Sequence, residues 1–256
     1  LFRSATAFPR QYMRNAVFLS TGTGRLREAA HMAGLANSDW TWTVRLSDFD
    51  NDGKVDVYFT NGMAVNLNRA DSPELSKVFP GETEWDKHQR AKTGPLNEQN
   101  LAFKNLGKLK FENVSKDWGL DHVGMSYAST AADLDRDGDL EIITANLDEE
   151  VSIYQNNSTN QNTLLVELVG TLSNPNGIGS TIRITTEKSN QSRYVTLTRG
   201  YMASGEAISH FGLGSEEKII ELSVQWPSGH IQIFKDLLAN QFYTITEPGK
   251  IGRAHV

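Results

Sequence analysis

The chain repeats itself without a gap at an offset of 85 residues, and that repeat limits the fold more than any other feature. Asp48, Asp50, Asp52 and Gly53 fall on Asp133, Asp135, Asp137 and Gly138. The flanks agree: Asn15 falls on Asn100, Phe18 on Phe103, Gly22 on Gly107, Gly34 and Leu35 on Gly119 and Leu120, and Asn61 on Asn146. Ordinary composition gives an Asp-x-Asp-x-Asp-Gly match at a chosen position odds on the order of 1 in 100,000, so two copies with matching flanks form a repeat. Within a copy the apolar runs are short and strand-like, at 100–105, 109–114, 126–132, 140–144 and 151–154, with turn residues between them. Four or five short strands per copy is the content of a propeller blade.

The Asp-rich loops, 48–56 and 133–141, have metal-ligand spacing. Asp48, Asp50 and Asp52 occupy positions 1, 3 and 5, Gly53 position 6 and Asp56 position 9; the second loop has Asp133, Asp135, Asp137, Gly138 and Glu141 there. Alternate residues of a tight loop aim their carboxylates at one centre, and glycine at position 6 allows the turn. Position 7, Lys54 or Asp139, offers its backbone carbonyl. The oxygen count suits calcium, which takes six to eight ligands, better than magnesium, which demands octahedral geometry and keeps its waters. An EF-hand starts the same way but needs a bidentate Glu at position 12 and flanking helices. Position 12 is Phe59 or Thr144, and the flanks are β-branched and aromatic, so the EF-hand reading fails. The expectation is two calcium ions. They would take the formal net charge from -6 to -2.

These residues resemble the FG-GAP or VCBS repeat, whose copies form the blades of integrin-type β-propellers. The resemblance rests on Asn-x-x-Phe-x-x-x-Gly, then Gly-Leu, then the Asp loop, a hydrophobic strand and Asn. It implies calcium ligands at Asp48, Asp50, Asp52, Lys54 (carbonyl) and Asp56, and at Asp133, Asp135, Asp137, Asp139 (carbonyl) and Glu141.

The polar stretch 156–162 reads as a linker. Beyond it Leu164, Val166 and Leu168 alternate, as do Ile182 and Ile184, Val195 and Leu197, and Ile231 and Ile233, which predicts a β-sandwich-like module. The strings Gly-Thr-Leu-Ser-Asn at 170–174, Gly-Ile-Gly-Ser at 177–180, Gly-Tyr-Met-Ala-Ser at 200–204, His-Phe-Gly-Leu-Gly at 210–214 and Trp-Pro-Ser-Gly at 226–229 resemble the ASPIC/UnbV domain. That domain follows FG-GAP repeats in proteins related to cartilage acidic protein. The resemblance implies an extracellular or periplasmic location.

The fold class expected is all-β: a partial propeller of two FG-GAP-type blades, then the β-sandwich-like module. The segments are 1–14, the end of a preceding blade; 15–99, a blade with an insert at 63–99; 100–157, a second blade; 163–247, the C-terminal module; and 248–256, a tail. Residues 82–92 of the insert suggest a short helix. Residues 251–256 resemble translated sequencing adapter and are set aside. Two blades cannot close a propeller, so the chain is expected to be a piece of a longer one that begins internally at Leu1.

Other function classes fare poorly. A net charge of -6 with pI near 5.6 offers no basic stripe for nucleic acid, and no apolar run reaches the ~20 residues of a membrane span. Cysteine is absent. There is no Gly-x-Ser-x-Gly and no His-x-x-x-His. His210 reads as a structural histidine at a β-turn rather than a general base. Trp40 and Trp42 match Met125 and Tyr127 across the repeat and read as inter-blade packing rather than a carbohydrate platform. The function expected is that of a non-catalytic, calcium-binding extracellular β-propeller protein that mediates adhesion or binding to a protein or glycan; the alternative is a polysaccharide lyase or hydrolase on a propeller scaffold.

Overall fold

The computed structural model describes residues 14–64, 95–158 and 161–249. Among them the chain is almost wholly β. A hairpin, β1 (Phe18–Ser20) and β2 (Leu26–Glu28), leads into one helical turn, α1 (Ala30–Ala33). That turn stops where Gly34 adopts a left-handed φ of 73° and its N–H caps the carbonyls of Ala30 and His31.

Next comes a four-stranded antiparallel sheet in the order β3 (Thr41–Ser47), β4 (Asp56–Asn61), β6 (Leu101–Gly107), β7 (Lys110–Asn113). A third sheet has the order β11 (Ser152–Tyr154), β10 (Glu141–Asn146), β9 (Ser126–Ala132), and the two-residue strands β5 (Glu98–Gln99) and β8 (Val123–Gly124) pair beside it. All six residues of β4 are buried, because the strand packs on both faces. Tyr58 joins a cluster with Phe49 of its own blade and with Leu120, Leu140 and Ile142 of the following one, while Val57 and Phe59 join Ala33 and Leu35 of the preceding segment. Blade stacking therefore explains why Asp-Val-Tyr-Phe-Thr-Asn has no exposed face.

The sheets do not coincide with the repeat. Leu101–Gly107 and Lys110–Asn113, which the sequence assigns to the second copy, pair with the first: Val57 lies opposite Phe103, and Phe59 opposite Leu101. The blade carrying the first Asp loop thus runs across the 99/100 boundary. The insert is also shorter than 63–99, since Met63 bridges Leu96 and Glu98–Gln99 form a strand. The helix expected at 82–92 lies outside the described residues, as do the adapter-like residues 251–256.

Repeated asparagines join neighbouring segments. Asn61 Oδ1 accepts from Thr41 Oγ1 at 2.7 Å, and Asn146 Oδ1 accepts from Ser126 Oγ at 2.8 Å. Between blades Thr43 Oγ1 donates to the Tyr127 carbonyl at 2.9 Å, and Trp42 packs on Tyr127 with ring centroids 4.6 Å apart. Tyr201 of the C-terminal module completes that aromatic group, 4.8 Å from Trp42.

The C-terminal module is a two-sheet sandwich. One sheet has the order β15 (Ile208–Gly214), β12 (Asn162–Val169), β18 (Gln241–Thr246), with β12 and β18 parallel. The other has the order β14 (Asn190–Tyr194), β13 (Thr181–Thr185), β16 (Lys218–Gln225), β17 (Ile231–Leu238). Leu164, Val166 and Leu168 face Ile182, Ile184, Leu222, Val224 and Trp226 across one core. At its end the buried Glu247 carboxylate accepts the N–H groups of Thr171, Leu172 and Ser173 at 2.7–2.9 Å and is also bonded by Ser228. Burial alone would raise this carboxyl, but Ser228 and the 171–173 donors hold it at about 2.

Candidate metal centre

Each Asp loop lies between the first two strands of its sheet, β3 to β4 and β9 to β10, and the two are wound alike. Position 4 is left-handed in both, Asn51 at φ 59° and Arg136 at φ 63°, and so is position 6, Gly53 at 87° and Gly138 at 98°. Position 1 caps position 6: Asp48 Oδ2 accepts from Gly53 N–H at 2.8 Å and Asp133 Oδ2 from Gly138 N–H at 3.2 Å. Position 5 caps position 7: Asp52 Oδ1 accepts from Lys54 N–H at 2.9 Å and Asp137 Oδ1 from Asp139 N–H at 3.1 Å.

Position 9 closes the loop. Asp56 takes the Phe49 N–H at 3.0 Å on one oxygen and the Asn105 N–H at 2.8 Å on the other. Glu141 takes the Leu134 N–H at 2.8 Å and the Asn156 N–H at 3.3 Å in the same way. The longer side chain therefore keeps both bonds. Asn105 and Asn156 are equivalent, since their amides donate to the Val55 and Leu140 carbonyls. The polar stretch read as a linker from residue 156 thus begins with a residue that braces the second loop. Its repeat signal is hidden because the offset between Asn105 and Asn156 is not that of the loops.

Carboxylate oxygens converge in both loops. Those of Asp48, Asp50 and Asp56 lie within 4.8 Å of one another, as do those of Asp133, Asp135 and Glu141, and those of Asp135, Asp137 and Asp139. Asp52 stands apart from the first group, its Oδ2 paired with Lys54 Nζ at 2.7 Å. Asp139, expected to contribute its carbonyl, also brings a buried carboxylate to the second loop. Lys104 pairs with Asp50 in the first loop, where the second has Gln155 Nε2 at 3.3 Å from Asp135.

The donor set fits a hard cation. Asp48 Oδ1, Asn51 Oδ1, Asp133 Oδ1 and both carboxylate oxygens of Asp139 are buried without a partner. Such atoms are acceptors only, so a cation or a proton must supply what the protein does not. Without a cation the carboxyls shift upward: burial, then the Asp56 charge, push Asp48 to about 7, and burial with its acidic neighbours pushes Asp56 to about 7. Burial, then Asp137 and Glu141, push Asp139 to about 7, while the neighbouring Asp139 carboxyl holds Asp137 below its usual range. Burial also raises Asp133 and Glu141. The lysine pairs offset part of this charge in the first loop only.

The C-terminal module closes over both loops. Gly214 N–H donates to the Asn51 carbonyl at 2.8 Å, and Glu206 Oε1 accepts the Asp133 N–H at 3.3 Å. Gly212 backs onto the first loop so closely that a Cβ there would overlap Asp48 Oδ2 and the Asn51 backbone. At the second loop a Cβ on Gly138 would meet the Thr163 hydroxyl. His210 lies in β15 rather than at a turn, and its Nε2–H donates to the Gly138 carbonyl at 3.0 Å. Burial, with Arg193 adding to it, holds its pKa at about 4, so the ring is neutral. The His-Phe-Gly-Leu-Gly string is thus the strand by which the module reaches both loops.

Comparison with known proteins agrees with both resemblances. Residues 5–59 match the family model described as FG-GAP-like repeat, and residues 170–252 match that of ASPIC and UnbV. The chain is 23% identical over 268 aligned positions to cartilage acidic protein 1 of Homo sapiens and 25% identical over 247 to that of Mus musculus. These alignments cover 91% and 84% of this chain but only 40% and 38% of the relatives, so the chain spans about two fifths of their length.

Proposed function

We propose that this chain, which carries an FG-GAP-like repeat and an ASPIC and UnbV domain, is a non-catalytic, calcium-dependent extracellular binding or adhesion protein. Calcium in the two Asp loops clamps the C-terminal sandwich to the blades. The observation that carries this reading is the unpartnered, buried Asp48 Oδ1 in a loop whose Oδ2 lies against Gly212 of the sandwich. A cation there satisfies the loop and sets the surface on which the module rests.

Asp48, Asp50 and Asp56 hold the first ion, with Asp52 and the Lys54 carbonyl completing the set; Asp133, Asp135, Asp137, Asp139 and Glu141 hold the second. The ion supplies charge neutralisation, and the protein's own residues orient the carboxylates through the N–H groups of positions 2, 6 and 7. Extracellular millimolar calcium suits loops of modest affinity. A secreted setting also accords with relatives named for cartilage. No helix among the described residues is long and apolar enough to cross a membrane. The ligand is a protein or glycan.

Titration calorimetry of the chain with calcium tests the reading. Two equivalents are expected, and Asp48→Asn and Asp133→Asn should each remove one. Heat that is absent at millimolar calcium, or unchanged in both variants, contradicts it.

A further inference from the structure

A cavity of about 320 Å³ lies where the inner strands of the two blades meet the C-terminal module, lined by Arg45 and Ala131 on the blade side and by Arg193, Arg199 and Glu206 on the module side. It borders the first Asp loop at Asp48, and no other carboxylate of the two loop clusters lines it. Its volume is at the lower end of small-molecule sites, about 300 Å³ and upward.

Three arginines meet here without a counter-ion in contact. Among the described residues no carboxylate oxygen lies within 4.0 Å of any of the three guanidinium groups. Arg193 gives its donors to the carbonyls of His210 and Ser192 and to Gln191 Oε1, and stacks over Phe211 at 4.8 Å. Arg199 Nη2 reaches the Tyr194 carbonyl at 3.2 Å. Arg45 is 4% exposed; its Nη2 has only long bonds of 3.3 Å to Thr130 Oγ1 and the Ala131 carbonyl, while its Nε and Nη1 have no partner at all. Burial, with Arg199 repelling it and Glu206 attracting it, brings Arg45 down to about 10. Space beside this head group is kept by Gly205, where a Cβ would stand 3.0 Å from Arg45 Nη2.

A buried guanidinium with free donors is costly unless an acceptor meets it, and planar oxyanions match its fork. The geometry points to this cavity as a binding site for an oxyanion, a carboxylate or sulfate group on a ligand of monosaccharide size, held by Arg45 and Arg199 with Arg193 as fixed positive charge. Arg45 comes from the blade and Arg199 from the module, so bound anion bridges the two parts of the chain.

The test is thermal melting and calorimetry on the whole chain at fixed calcium and matched ionic strength, with glucuronate, glucose 6-sulfate and inorganic sulfate as probes and glucose as the neutral control. The first two anions distinguish a carboxylate from a sulfate ester, and sulfate alone asks whether the sugar ring contributes. At least one anion should raise the melting temperature saturably where glucose does not. Arg199→Gln should weaken that binding about tenfold or more, the worth of a charge-assisted hydrogen bond in a partly buried site. Arg45→Gln should do the same, and if that variant fails to fold, Arg199→Gln decides. Equal behaviour of every anion and glucose, or unchanged anion affinity in folded Arg199→Gln, overturns the proposal. Calcium binding is measured separately, so failure here leaves the loop assignment standing.

Discussion

Gly212 and Asp48 touch across the junction of the sandwich and the blades, with the glycine Cα facing the carboxylate that opens the first Asp loop. Gly212 does not have a positive φ, so close approach rather than backbone freedom is what demands glycine there. The adjoining Gly214 N–H bond to the Asn51 carbonyl fixes the same loop from the next turn of the strand.

Gly212→Ala should therefore push the module off the loop. Overpacking of this kind costs about 1–3 kcal/mol, and the loss should appear in urea unfolding as a lower midpoint. Calcium should also stabilise the variant less than the parent, because the Asp48 carboxylate is displaced. A midpoint equal to the parent's would show that the contact is loose.

The pH dependence should reverse with calcium. Without metal, Asp48, Asp56 and Asp139 have folded pKa values of about 7, well above the ordinary carboxylate range near 4. The unfolded chain then gives up these protons at lower pH than the folded one, so metal-free stability falls as pH rises from about 4 to about 7. Bound calcium favours the ionised carboxylates, so its stabilisation grows over the same interval. Melting with and without calcium at pH 5 and pH 8 measures both slopes; the gap should be small at pH 5 and large at pH 8.

On the proposed reading, Lys104 should compete with calcium for Asp50. Its ammonium pairs with that carboxylate, and Asp50, Asp52 and Asp56 all raise its pKa. Lys104→Gln places there the residue that Gln155 supplies to the second loop. Removing one positive charge a few ångströms from a divalent ion should tighten the first site about threefold to tenfold at low salt, and less at high salt. Calorimetry resolves the change, and the second site should be unaffected.

The loops themselves were legible because position and glycine recur at a constant offset, and their flanks are too β-branched for an EF-hand. The extent of each blade was not, because pairing follows the return of β6 to β4 across the insert, while the repeat is read from loop to loop. Asn156 looked like part of a linker because its bond partner, the Leu140 carbonyl, is fixed by folding rather than by neighbouring sequence. Glu247 gave no signal, since its three N–H donors lie 74–76 residues earlier in the chain. The arginine-lined cavity was hidden for the same reason: Arg45 comes together with Arg193 and Arg199 only when the sandwich docks.

Melting the chain in millimolar calcium and again in excess chelator at pH 8 measures the clamp most directly. Metal-linked stability follows the ratio of free calcium to the dissociation constant, about 2.7 kcal/mol for one site at a hundredfold excess. The account predicts a clearly lower melting temperature in chelator, with the sandwich and blades no longer unfolding together. Superimposable curves would contradict it.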